Sequence, residues 1–135
     1  MSAVMRELPT KWSEEFDVGD DDSIRSFSTL INDFNPIHHD TEAAKKFGLH
    51  GVVAPGVMIM GFVSSAIAKR IPGVIARKID IKLTNPLYAK SRVLVTCGVT
   101  SVRGLIAKVT IDVESNGDFV ITGECTLLLP RGLDI

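Results

Sequence analysis

The sequence predicts an α+β fold in which a curved antiparallel sheet wraps one long, buried helix. Three observations carry that prediction. The longest apolar run, Val52 to Ala68, is interrupted only by Pro55, Gly56, Gly61 and two serines. From Val74 onward the apolar residues switch to a period of two. Turn-forming residues then separate at least four such stretches. With 135 residues, 45% of them hydrophobic, the chain has the size of one domain with one substantial core, spanning residues 1–135.

Taken in order, the first element is a capped amphipathic helix. Asp20, Asp21, Asp22 and Ser23 precede apolar positions 24, 27, 30, 31 and 34, a helical spacing behind acidic and hydroxyl cap residues. Pro36 is expected to stop this helix, which puts Asp33 in its last turn. A short helix follows, capped by Asp40 or Thr41 and ending near Gly48. Pro55-Gly56 opens the long helix and Pro72-Gly73 closes it. Being apolar on every face, that helix is expected to be buried on all sides.

The strands come next. Ile75, Arg77, Ile79, Ile81 and Leu83 alternate with their neighbours, followed by Arg92–Thr100, Leu105–Val113 and Phe119–Leu129. Val102-Arg103-Gly104 and Ser115-Asn116-Gly117-Asp118 mark turns, and Asn-Gly is a strong hairpin signal. Cys97 and Cys125 lie in apolar strands and read as reduced core residues.

Several function classes are disfavoured. The N-terminus lacks the apolar segment of a secretory signal, which points to the cytoplasm. A membrane helix needs ~20 mostly apolar residues, and the punctuated run reads better as a core helix. Aromatic residues are few and no basic run is continuous, so nucleic acid is not an expected partner. The net charge of −1 hides an asymmetry: residues 1–42 hold ten acids and three bases, residues 43–110 one acid and eleven bases. The basic middle, including Lys69, Arg70, Arg77, Lys78, Lys82 and Lys90, suits a phosphorylated ligand or an acidic protein, or serves simply as a solvated face.

Chemically capable side chains concentrate in Asp33-Phe34-Asn35-Pro36-Ile37-His38-His39-Asp40. The proline break lets a carboxylate and an imidazole approach one small molecule, such as water, from two sides, and such a pair can move its protons. An aspartate capping a turn and a histidine filling a surface pocket account for the same residues equally well. A metal site is disfavoured, because adjacent histidines diverge, His50 stands apart, and no paired ligand spacing occurs.

With Asp33, Asn35-Pro36, His38 and Ala43-Ala44 followed by Val52-Val53, Pro55-Gly56 and the apolar helix, the sequence resembles the MaoC-like dehydratase family. That family includes (R)-specific enoyl-CoA hydratases and 3-hydroxyacyl-thioester dehydratases. The resemblance extends from about Asp17 to the final strand and implies a hot-dog fold, usually paired into a homodimer. It also implies cofactor-free, reversible hydration of a trans-2-enoyl thioester, carried by CoA or acyl carrier protein, to the (R)-3-hydroxyacyl thioester. By the same resemblance Asp33 and His38 are the catalytic pair, Gly56 binds the thioester oxygen and Ser64 supports the site. Asn35 is expected to tie the loop together. Gly56 has a physical reason of its own, since the first N–H groups of a helix lack partners and carry its positive dipole end. As simple helix-start punctuation Pro55-Gly56 is equally coherent, and Ser64 equally reads as a serine bonded back to a helical carbonyl.

Two departures from the family stand out. Many members have His-Gly where this chain has Pro55-Gly56, and the usual Gly-Asp turn is replaced by Ala89-Lys90-Ser91. Phe34, Met58, Met60 and Phe62 are the candidates for an acyl tunnel. Two rival readings are a hot-dog thioesterase and a non-catalytic acyl-CoA-binding or accessory subunit. The first is disfavoured because no acid lies between Glu42 and Asp80; the second has no need of both Asp33 and His38.

Overall fold

Five strands form one antiparallel sheet, and the computed structural model describes residues 8–132 of the chain. The strands are β1 (Lys11–Asp17), β2 (Ile75–Leu83), β3 (Arg92–Arg103), β4 (Ile106–Ser115) and β5 (Asp118–Leu128), in the order β1-β3-β4-β5-β2. Helices α1 (Asp21–Leu30), α2 (Thr41–Lys46) and α3 (Gly56–Arg70) all lie in the chain between β1 and β2. The α+β expectation, a helix cradled by an antiparallel sheet, is borne out.

The inner face of the sheet follows from the period-two pattern. Val95, Cys97, Val109, Ile111, Val113, Ile121, Cys125 and Leu127 are fully buried there. At the β4–β5 turn, Asn116 (φ 54°) and Gly117 (φ 83°) are both left-handed, as the tight hairpin turn announced by Asn-Gly requires. Both cysteines are free, and burial pushes their thiols up, Cys97 to about 12 and Cys125 to about 11. Between pH 9 and those values the folded chain holds more protons than the unfolded one, so stability falls as pH rises through that window. Thiol reagents at neutral pH are therefore expected to label neither cysteine until the protein unfolds; rapid stoichiometric labelling of the native form would contradict this.

Three features depart from the sequence reading. Strand β1 was not anticipated, because Glu14, Glu15 and Asp17 mask the alternation of Trp12 and Phe16. Trp12 anchors it, donating its indole N–H to the Ala66 carbonyl in the core at 3.0 Å. Helix α1 ends at Leu30, not at Pro36. Asn32 is left-handed (φ 58°), and the N–H groups of Asn32 and Asp33 donate back to the Thr29 and Ser28 carbonyls. This paired arrangement closes the helix five residues before Asn35, so Asp33 stands just beyond α1.

The third departure concerns α3. Ile59, Val63, Ala66 and Ile67 are buried, but Val57 is 52% exposed, and Gly61, Ser64 and Ala68 also face outward. The reason is width. Five strands span about 19 Å, while a helix covers about 10 Å, and α3 lies over β1 and β3. Strand β2, at the far edge, is left largely uncovered, with only Ile81 half-buried. Ile79, Ile81 and Leu83 are in register with inward-facing Cys125, Gly123 and Ile121, yet Ile79 and Leu83 are exposed. At Gly123 the two strands approach so closely that an added Cβ would meet the Asp80 carbonyl oxygen at 2.3 Å.

Candidate active site

The loop after α1 is built to present His38. Asn35 caps a single 3-10 turn, Pro36–His38, its side-chain oxygen accepting from the Ile37 N–H at 3.4 Å. The Asp33 carboxylate accepts from the Asn35 N–H at 3.1 Å, which turns it toward the loop. Arg25 on α1 donates Nε–H to the His39 carbonyl at 3.0 Å and fastens the far end.

His38 is 6% exposed and its orientation is fixed by backbone. Its Nδ1 lies 2.7 Å from the Val53 carbonyl oxygen. A carbonyl oxygen only accepts, so Nδ1 carries the proton and the neutral ring keeps its lone pair on Nε2. That Nε2 lies 3.5 Å from Asp33 Oδ2. Both atoms are then acceptors, and a molecule with two O–H donors fits the requirement of each. The Val53 N–H in turn donates to the Ile37 carbonyl at 3.1 Å, so one residue clamps the loop and the ring together.

The segment carrying Val53 is itself tied down. The Ala54 N–H donates to the Leu87 carbonyl and the Ala89 N–H to the Val52 carbonyl, at 2.8 and 3.2 Å. Pro55 then leads directly into α3. No side chain caps this helix, its first turn holds no acid, and the Gly56 and Val57 N–H groups meet no acceptor among the described residues. The positive end of a 15-residue helix is therefore uncompensated.

His38 and Gly56 line one cavity of about 330 Å³, walled mainly by Ile37, Leu49, Ile59, Leu83 and Leu87, with Thr84 and Asn85 as its polar lip. Asp33 is not part of that wall and reaches the cavity through His38. Asn35 is one turn away, holding the loop. Ser64 is not brought to this place: it is exposed on α3, eight residues and about 12 Å beyond Gly56. The aromatic and methionine tunnel candidates also lie elsewhere. Phe34 is 64% exposed and stacked on His39, while Met58 and Phe62 pack against the core.

Two supporting residues escaped the sequence reading. His39 donates its Nε2–H to the Asp33 carbonyl at 2.7 Å, a role its position beside His38 gave no reason to expect. Val53 acts only through its backbone, which no side-chain pattern reveals. Among the described residues no group of three or more His, Cys, Asp and Glu converges as a metal site would require, and no helix is long and apolar enough to cross a membrane.

A helix held in a sheet of this strand order is the hot-dog fold, and the comparisons with known proteins agree with it. The MaoC-like domain model matches residues 4–117, so the chain belongs to that family. A mitochondrial 3-hydroxyacyl-[acyl-carrier-protein] dehydratase of Solanum lycopersicum is 30% identical over 115 residues, covering 82% of this chain and 70% of that protein. The (R)-specific enoyl-CoA hydratase of Aeromonas caviae is 25% identical over 114 residues, 79% of this chain and 84% of the relative. The solved (R)-hydratase of A. caviae superposes with a TM-score of 0.83 at 23% identity, covering 91% of this chain and 98% of that one, which shows the same fold.

Proposed function

We propose that this protein catalyses the reversible hydration of a trans-2-enoyl thioester, on CoA or acyl carrier protein, to the (R)-3-hydroxyacyl thioester. The observation that carries the reading is the meeting of three groups: a lone pair on His38 Nε2, the Asp33 carboxylate 3.5 Å away, and the open N-terminus of α3 at Gly56 in the same cavity as His38. The thioester oxygen sits on the Gly56 N–H, where charge arising on it is stabilised as the thioester becomes enolate-like. Glycine lets the ligand approach the backbone closely.

Water bridges Asp33 and His38. Its oxygen bonds to carbon 3, one of its protons passes to the pair, and a proton is delivered to carbon 2; elimination reverses each step. Nothing in this balance needs a cofactor. Asn35 and His39 hold Asp33 in place, and the (R) outcome follows from the family resemblance. The whole chain acts as one such domain, in the cytoplasm. In an assay with crotonyl-CoA, the reading expects loss of the conjugated enoyl thioester without release of free thiol. Thiol release would favour a thioesterase, and binding without turnover an accessory protein.

The same reading takes the working form as a homodimer. The acidic β1 edge, with Glu14, Glu15 and Asp17, discourages pairing, whereas β2 offers an unpaired edge beside exposed Ile75 and Ile79 and the open side of α3. A second copy about a two-fold axis would cover both. Light scattering on the purified protein is expected to give twice the mass of one chain; a monomer at micromolar concentration would exclude this arrangement.

A further inference from the structure

We propose that Leu83 is the specificity-determining wall of the acyl cavity, its side chain fixing how much acyl chain fits once a thioester oxygen is held at Gly56. The inference rests on the hydration reading for that placement alone. Part of the apolar wall is core: Val53, Ala54, Ile59 and Leu87 are all 7% exposed or less, while Ile37 and Leu49 are half-buried. Resizing any of the core four disturbs the packing of the sheet against α3. Leu83 differs, being 54% exposed at the end of the edge strand β2.

It also stands directly against the helix start. Its Cδ1 would lie 3.1 Å from a Cβ built on Gly56, and both residues line the same cavity, so an acyl chain held there runs beside Leu83. The backbone that follows is rigid. Thr84 Oγ1–H and Asn85 Nδ2–H both donate to the Phe119 carbonyl, at 2.6 and 2.7 Å, and the Thr84 N–H donates to the Val120 carbonyl at 2.9 Å. A change of side chain at position 83 therefore alters the cavity without releasing the strand. Trimming it deepens the cavity toward the β2 edge, and enlarging it fills the space over Gly56.

The test compares the wild type with Leu83→Ala and Leu83→Phe. Calorimetry with butyryl-CoA and octanoyl-CoA reads the seat without chemistry, and turnover of crotonyl-CoA and trans-2-octenoyl-CoA reads it with chemistry. The octanoyl-to-butyryl affinity ratio is expected to rise at least about tenfold in Leu83→Ala, the scale of a methylene gained or lost in an apolar pocket. It falls by a similar factor in Leu83→Phe, which also serves if the alanine variant does not fold. Unchanged ratios in both variants overturn the inference. Shifted binding ratios with no turnover in any protein overturn the hydration reading and leave Leu83 as the wall. Failure of the wild type to bind either saturated thioester overturns both.

Discussion

Asp33→Asn and His38→Ala will each lower the hydration rate of crotonyl-CoA by about a hundredfold or more, the range that positioned acid–base groups contribute. Asp33→Asn is the cleaner variant. The amide oxygen still accepts from the Asn35 N–H that the carboxylate now engages at 3.1 Å, so the loop keeps its form while the negative charge beside His38 is lost. His38→Ala removes a ring that is 6% exposed and leaves the Val53 carbonyl without its donor. That orphaned carbonyl costs about 1–3 kcal/mol, so the variant will melt earlier while remaining folded. Circular dichroism separates the two effects: a folded variant without activity is the expected result. Near-normal turnover in either folded variant would sink the assignment of the pair.

The largest effect on stability is expected far from the site, at Gly123. A Cβ there would lie 2.3 Å from the Asp80 carbonyl oxygen and 2.6 Å from the Ile81 Cα. Both obstacles are backbone, so no rotamer relieves the clash, and β2 must move away from β5. Gly123→Ala is therefore expected to cost about 3 kcal/mol or more, the upper range for overpacking, and to lower the melting temperature by roughly 10 °C. A melting temperature within two or three degrees of the wild type, on the order of 1 kcal/mol, would show that the strands can part freely. Since Leu83 ends β2, the damaged variant should also lose activity in proportion to the displacement of that strand.

What could be read from the sequence divides along physical lines. The β3–β4–β5 meander was legible because one face is buried and the other is not, and its Asn116-Gly117 turn has a conformational demand that few residues meet. Strand β1 was hidden by charge, and an edge strand needs to bury little. The end of α1 was misplaced because Pro36 gives a loud signal and Asn32 a quiet one, although the left-handed residue came first along the chain. The open face of α3 was not legible at all. An apolar helix looks the same whether its second face meets a sheet or another molecule, and only the width of the sheet distinguishes them.

At the site, Asp33, His38 and Gly56 were legible by resemblance and as chemically capable groups. Their physical reading left catalysis and plain structure equally open, because spacing along a broken loop does not fix a distance. The backbone supplies what the spacing lacks. The Val53 carbonyl sets the tautomer of His38, and a carbonyl has no signature in sequence. Ser64, matched to a family position, lies exposed on α3 and outside the cavity wall of the single chain.

The strand order carries one more consequence, for the polymer as a whole. Strands β3, β4 and β5 follow one another without a break and pair as neighbours, whereas β1 pairs with β3 across the excursion of residues 18–91. Every residue of the candidate site lies within that excursion. The entropy of closing such a long loop grows slowly, by about 0.6 kcal/mol for each doubling of its length. A few residues gained or lost there barely change the closure term, while a slip in the meander would turn the core face outward. The chain thus keeps its chemistry on the segment whose length is entropically cheapest to vary, and its pairing register on the segment least able to change.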